Sequence, residues 1–350
     1  MRIALDAMGT DRHPSVEVEG AVQALRELPG DFRLILVGDE GKVRAALAEQ
    51  GDFPRDRLEV VHAADVVLPS DAPAAVLRKK PNSSIVVGLT LQKRGEVDAF
   101  ISAGSTGAVM AASLFLLGPL PGVDRPTVAT VLPTAGAPML LADSGANIDC
   151  KPAHLLQFAR LASVYSRDVF GCERPRVGLL NIGEEPEKGN ELAVETFRLL
   201  NESGLNFVGN VEGRDIIRGV CDVLVADGFV GNVLLKFYES VAGFMLQLFS
   251  RELAKASHTV DLNKVFGMFD YTTYGGAPLL GVNGISIICH GGSPPHAIRN
   301  AVRVAIQAID TRMIGNLKSE IEGHDVDVAT SAAGAAAERT NVPGGTGENG

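Results

Sequence analysis

Four clusters of Gly, Asn and Asp, each placed where a β run should hand over to a helical run, constrain this 350-residue chain more than any other feature. They read Ile-Ser-Ala-Gly-Ser-Thr-Gly-Ala (101–108), Ala-Asn-Ile-Asp-Cys-Lys-Pro (146–152), Asn-Ile-Gly-Glu-Glu-Pro-Glu-Lys-Gly-Asn (181–190) and Asp-Gly-Phe-Val-Gly-Asn (227–232). Small residues let backbone N–H groups come close to a ligand, and the start of a helix favours an anion. In an open α/β sheet such loops gather along the carboxyl ends of the strands, where ligands bind. The pattern predicts a chain built around a phosphate-bearing substrate rather than around a metal or a nucleophilic triad.

Between the clusters, short β runs alternate with longer helical runs, which implies parallel strands joined by crossover helices. Strands are expected at 3–6, 32–37, 58–61, 99–102, 128–132, 139–142, 177–181, 207–211, 223–226, 275–281 and 285–289. Helices are expected up to residue 28 and over 40–50, 83–94, 105–117, 152–167, 189–201 and 295–314. From Phe229 the pattern lengthens: Leu234, Phe237, Val241, Phe244, Met245 and Leu248 keep helical spacing. With a shorter segment at 261–269, this stretch (about 229–269) is expected to form a helical hairpin projecting from a single domain of residues 1–322. The Ala/Gly-rich tail, 323–350, is expected to be disordered.

A net charge of -10 argues against a broad nucleic-acid surface. Four cysteines (Cys150, Cys172, Cys221 and Cys289) form no Cys-x-x-Cys pair, and no His cluster has zinc-like spacing. Neither a metal nor another cofactor is therefore expected. Scattered thiols, no visible signal peptide, and no uninterrupted apolar run of roughly 18–20 residues suggest a cytosolic protein.

Several polar groups are candidates for the chemistry. Gly104, Ser105, Thr106 and Gly107 offer two hydroxyls and backbone donors to an anion; the alternative is a tight turn with Ser as helix cap. The run lacks the Lys of a Walker A loop, and no Gly-x-Gly-x-x-Gly is present. Asn147 and Lys151 precede a helix and share one side of an extended segment with Asp149. Lys188 lies near a helix start, where an anionic ligand would offset its opposition to the helix dipole. Asp227, followed by Asn232 and, one turn on, Lys236, reads as a base, a hydrogen-bond acceptor or a helix cap. Neighbouring side chains on a strand face opposite ways, so Cys289 and His290 do not make a dyad. Cys289 reads as core, and His290 as the functional candidate. Arg78, Lys79 and Lys80 form the strongest compact basic cluster in an acidic chain, suited to steering an acidic protein partner.

In order along residues 1 to about 310, these segments resemble one family, the bacterial acyl-carrier-protein:phosphate acyltransferases of phospholipid synthesis (PlsX). The matching runs are 6–9, 102–108, 147–152, 180–185 with 188–190, 209–215, 227–232, 275–281 and His290-Gly291. Thr10 stands where the family usually has a second Gly, Ser105 where Asn is frequent, and Pro186 stiffens the loop before Lys188. The resemblance implies a Rossmann-like three-layer α/β/α sandwich, a homodimer and peripheral membrane association. It also implies a reaction: acyl carrier protein thioester plus inorganic phosphate gives acyl phosphate, which passes to a membrane glycerol-3-phosphate acyltransferase.

Phosphate is already a nucleophile, so such an enzyme must position it and screen its charge. The 104–107 loop, Asn147, Lys151 and Lys236 are the expected phosphate ligands. Lys188, Asp227, Asn232 and His290 are the expected catalytic groups, and a thiol leaving group needs little acid help. The rival readings are a phosphotransacetylase using acyl-coenzyme A and a non-catalytic phosphate- or acyl-binding regulator.

Overall fold

The computed structural model describes residues 1–68, 70–253 and 271–323. Strand β1 (Arg2–Asp6), helix α1 (Ser15–Glu27), β2 (Arg33–Gly38), α2 (Glu40–Ala48) and β3 (Leu58–His62) open the chain. A short helix α3 (Val76–Lys79), α4 (Ser84–Lys93), β4 (Ala99–Ser102), α5 (Thr106–Leu116), β5 (Thr127–Leu132) and β6 (Met139–Ala142) follow. Then come α6 (Pro152–Phe170), β7 (Val177–Asn181), α7 (Glu191–Asn201), β8 (Phe207–Glu212), β9 (Val223–Val225) and α8 (Gly228–Leu253). Strands β10 (Ala277–Leu280) and β11 (Ile285–Ile288) and helix α9 (Pro295–Asp310) complete it, with a last helix over 313–323.

The eleven strands among the described residues form one sheet in the order β3-β2-β1-β4-β11-β10-β5-β6-β9-β7-β8. Strand alternation sorts the core into layers. Ile3, Leu5, Leu34, Leu36, Ala99 and Ile101 share a cluster with residues of α1, α6 and α9. Ala4, Ile35, Val37 and Phe100 belong to another with α4 and α5. In the second half of the sheet, Leu140 and Val223 face α6, while Met139, Leu141 and Leu224 meet Leu234, Leu235 and Tyr238 of α8. The result is the expected Rossmann-like three-layer α/β/α sandwich with a mostly parallel sheet. Burial on both faces explains why the strands read as continuous apolar runs.

The sheet departs from the expected single carboxyl edge. The pairs β11–β10, β10–β5 and β5–β6 are antiparallel and all other pairs parallel. Strands β6, β9, β7 and β8 therefore run opposite to β3, β2, β1, β4 and β11. The carboxyl ends of the two halves point to opposite edges, so the four Gly/Asn/Asp loops cannot all converge. Antiparallel neighbours need no crossover helix. The central strands are consequently flanked, on one face, by α5 from one half and α8 from the other.

Boundary differences have local causes. Gly275 and Gly276 take φ of 82° and 88°, delaying β10 to Ala277. The expected helix 295–314 stops at Asp310 because Arg312 adopts φ 55°. Helix α8 runs unbroken for 26 residues, and Gly228–Phe249 within it is long and apolar enough to cross a membrane by length and composition, although Lys236 and Glu239 interrupt the run. Its outer half exposes Val241, Phe244, Met245 and Phe249. The expected partner segment 261–269 and the tail 324–350 lie outside the described residues.

Candidate active site between two oppositely directed half-sheets

A cavity of about 490 Å³ occupies the gap between α5 and α8. Thr106, Gly107, Asn232, Lys236 and His290, all expected site residues, line it, with Thr130, Ser144 and Ala277 on the strand side. Ser105 caps α5 without using its hydroxyl, so the helix start keeps N–H groups with no side-chain partner. The Ser105 hydroxyl is thus not consumed as a cap. Gly104 lies where the loops after β1 and β4 meet: a Cβ on Gly9 would stand 2.6 Å from the Gly104 nitrogen.

Two buried carboxylates hold the walls. Ser102 Oγ donates to Asp6 Oδ2 at 2.6 Å and accepts from Gly104 N at 3.0 Å. Asp143, fully buried, accepts from the backbone of Val128, Gly145, Ala146 and Asn147 and from Asn147 Nδ2, at 2.6–3.3 Å. Burial raises the pKa of both carboxyls, and the hydrogen bonds oppose that rise. Neither residue was singled out as a site candidate. Their signal was a carboxylate at or just after a strand end, before a Gly-containing loop.

Helix α8 is locked to the Asp143 loop by its glycines. Gly228 N donates to Asn147 O at 2.8 Å, and a Cβ on Gly231 would stand 1.9 Å from the Asp143 carbonyl oxygen. The close approach that these glycines allow is made by backbone rather than by ligand. It sets Asn232 against Gly145 and aims Lys236 into the cavity.

His290 Nδ1 accepts from Gly292 N at 3.1 Å, so the neutral ring carries its proton on Nε2. The buried Cys289 thiol beside it is pushed up to about 12 by desolvation and the nearby Glu17 carboxylate. Burial likewise raises Cys150 to about 11 and Cys221 to about 12. None of these three thiols is poised as a nucleophile at neutral pH.

The other candidates lie elsewhere. Asn147 is buried, and its amide nitrogen donates to Pro126 O at 2.8 Å as well as to Asp143. Both of these contacts hold the loop together. Lys151 stands exposed at the start of α6 and does not line the cavity. Asp227 caps α8, its Oδ1 accepting from Phe229 N and Val230 N at 2.9 and 3.0 Å. It lines a second, mostly apolar cleft of about 580 Å³ with Asn190, Gly189, Val233 and Phe237. Lys188, exposed, sits on the loop bordering that cleft, its carbonyl accepting from Asn181 Nδ2 at 2.9 Å. The structure therefore separates Lys188 and Asp227 from His290 and Asn232, which the sequence reading grouped as one catalytic set.

The basic cluster is divided too. Lys80 Nζ binds Asp71 Oδ2 at 2.6 Å and Val66 O at 2.7 Å, holding the Asp71 carboxyl below its ordinary range. Lys80 is an internal strut, while Arg78 and Lys79 remain exposed. A Cβ on Gly107 would stand 2.8 Å from Pro73, so this segment borders the start of α5 and the cavity. Among the described residues, no group of three or more His, Cys, Asp or Glu side chains is placed to hold a metal ion.

The α/β fold described above is shared with solved phosphotransacylases. The chain is similar to a phosphotransacetylase from Streptococcus pyogenes (TM-score 0.59, 20% identity, covering 89% of this chain and 94% of that one). It also resembles a branched-chain phosphotransacylase from Enterococcus faecalis V583 (TM-score 0.57, 17% identity, 88% and 99% covered). At such identities the likeness concerns the fold. Sequence is more specific: residues 1–316 match the family model described as fatty acid synthesis protein. Proteins named phosphate acyltransferase are 47% identical in Desulforamulus reducens (92% of this chain, 98% of the relative) and 49% in Heliobacterium modesticaldum (92% and 98%). The chain belongs to this phosphate acyltransferase (PlsX) family, and it is an acyltransferase with phosphate as acceptor.

Proposed function

We propose that the chain moves a fatty acyl group from acyl carrier protein to inorganic phosphate, by direct attack and without an acyl-enzyme. The observation that carries this reading is the single cavity joining the α5 start, Lys236, Asn232 and His290. Phosphate binds at the 104–107 loop, its charge screened by Lys236 and the helix start. One phosphate oxygen attacks the thioester carbonyl carbon, and the C–O bond forms as the carbonyl becomes a tetrahedral oxyanion. His290 Nε2–H or the Asn232 amide donates to that oxyanion; a well-placed donor of this kind contributes about 3 kcal/mol. Collapse breaks the C–S bond, and the thiolate leaves with the carrier protein. Buried, protonated thiols at Cys221 and Cys289 support a route without a cysteine nucleophile.

Arg78 and Lys79, exposed on the segment whose Pro73 packs against Gly107, receive the acidic carrier protein. The exposed apolar residues of α8 serve a homodimer and a peripheral membrane contact, from which acyl phosphate reaches a membrane glycerol-3-phosphate acyltransferase. The working site is cytoplasmic, at the membrane surface. Lys188, Asp227 and Lys151 are assigned supporting roles at the second cleft and the α6 start.

The test is release of carrier thiol from palmitoyl-carrier protein with and without inorganic phosphate. Phosphate-dependent release with a hydroxylamine-reactive product in step is expected. Equal release in both conditions would mean a thioesterase, and turnover of acyl-coenzyme A alone would mean a phosphotransacetylase.

A further inference from the structure

Glu17 lies in the first turn of α1, where a carboxylate ordinarily faces water and complements the helix dipole. Here it is fully buried. Its Oε1 accepts from Thr10 N at 2.6 Å, while its Oε2 and the Thr10 hydroxyl are both buried with no hydrogen-bond partner. A buried carboxylate with one oxygen unsatisfied is costly when charged and far less so when protonated.

The loop that Glu17 grips is tied to the active-site cavity. Thr10 O accepts from His13 Nδ1 at 2.8 Å, and Asp11 N donates to Gly291 O at 2.9 Å. Gly291 follows His290, whose ring lines the cavity. The chain of contacts runs Glu17, Thr10, Asp11, Gly291, His290. We propose that Glu17 is a positioning residue: its proton decides how firmly residues 8–13 hold the His290 loop against the cavity. The consequence for catalysis rests on the reading of that cavity as the phosphate site.

The groups around it are few. Asp6 at the end of β1 and Cys289 at the end of β11 couple to it electrostatically, and His13 on the loop couples to Asp6. Helix α4 supplies Ser84 to Asp6. Helix α9, packed along α1, carries the exposed His296, and Arg299, which is paired with Glu27. Desolvation raises the Glu17 carboxyl to about 7. Protonated, the carboxyl is neutral and is buried without the cost of desolvating a charge, a cost the Thr10 side chain only partly offsets. Ionised, it draws the loop toward water and loosens the Asp11–Gly291 bond.

Amide hydrogen exchange of residues 8–13 and 289–293, corrected for intrinsic rates, is the direct test on the full chain. Between pH 6 and 8 protection of both segments should fall roughly threefold to tenfold in the unaltered protein and stay flat in Glu17→Gln. KM for inorganic phosphate should rise over the same range, with kcat changing less, and this limb should vanish in Glu17→Gln. Titration of phosphate itself is common to both proteins and cancels in their ratio. Should Glu17→Gln not fold, Thr10→Val serves: losing the hydroxyl moves the exchange midpoint to higher pH. Identical pH profiles in the altered and unaltered proteins would overturn the proposal. Exchange that follows Glu17 with an unchanged phosphate KM supports the positioning contact and rejects the cavity as the phosphate site.

Discussion

Helix α8 separates two clefts with opposite characters. One side presents Asn232, Leu235, Lys236 and Glu239 to the cavity, among hydroxyls, a helix start and His290. The other presents Val230, Val233, Leu234 and Phe237 to a cleft walled by Leu155, Leu180 and Leu192. Both draw on residues that read as functional in the sequence, but only the first gathers groups able to hold an anion and donate to an oxyanion. The difference teaches that a ligand site follows from strand direction as much as from motif. Reversal of the second half-sheet turns the ends of β7 and β9 toward the far edge, and α8 brings Asn232 and Lys236 back to the cavity, which the Ser144–Ala146 loop also lines.

Substitutions on the two sides of α8 should break the comparison if it is wrong. His290→Ala and Lys236→Met should each lower kcat/KM by about 10²–10³, whereas Lys188→Met should cost less than about tenfold. A Lys188→Met loss equal to that of Lys236→Met, in the thiol-release assay, would move the chemistry to the apolar cleft. Next in size is the wedge that fixes α8 itself. Gly231→Ala forces a Cβ into the Asp143 carbonyl and should destabilise the fold by about 3 kcal/mol, disturbing both clefts. Gly243→Ala, whose Cβ would meet nothing, should raise stability by up to about 1 kcal/mol. Denaturant melts of the two variants give the contrast.

pH sharpens the comparison further, because the carboxylates that buttress the cavity are buried. Glu17 has a folded pKa of about 7 against 4.5 for the free group, so folding takes up a proton between these values. Its contribution is therefore fully present below about 4.5 and is lost as pH rises through 7. Asp6 and Asp143, also raised, act in the same direction. The thermal midpoint should fall from pH 5 to 8, and Glu17→Gln should flatten part of that slope. The smallest effect concerns the rim: Lys79→Glu should raise KM for acyl carrier protein about twofold to fivefold at low salt, fading at higher ionic strength. Lys80→Met should instead lower stability, since its ammonium is tied to Asp71 and Val66.

Much of the fold was legible. Strands at 99–102, 139–142 and 177–181 fall where their apolar runs end, and α6 starts at Pro152 as expected but runs on past 167 to Phe170, where Gly171 caps it at a φ of 70° that suits glycine. Periodicity and punctuation are local, so local sequence carries them. The candidate site was legible only in part. His290, Thr106, Gly107, Asn232 and Lys236 were named and do meet. Asn147, named for phosphate, and Asp227, named as a catalytic group or helix cap, hydrogen-bond to backbone groups, because a buried loop or helix start recruits the nearest amide or carboxylate. Asp143 and Glu17 were passed over, since nothing in a linear sequence marks a carboxylate as buried.

The sequence by itself determined the layered α/β class, the placing of its glycines and capping residues, and membership of a phosphate acyltransferase family. These follow from apolar spacing, turn chemistry and the order of motifs, each a property of neighbouring residues. Tertiary structure alone decided which loops share a cavity, which lysine faces it, and that Glu17 is sealed from water. Those depend on three antiparallel strand pairings at the centre of the sheet and on one helix crossing a carbonyl at Gly231. Contacts between residues far apart in the chain set them, and the physical quantity that changes there, solvent exposure, has no local signature.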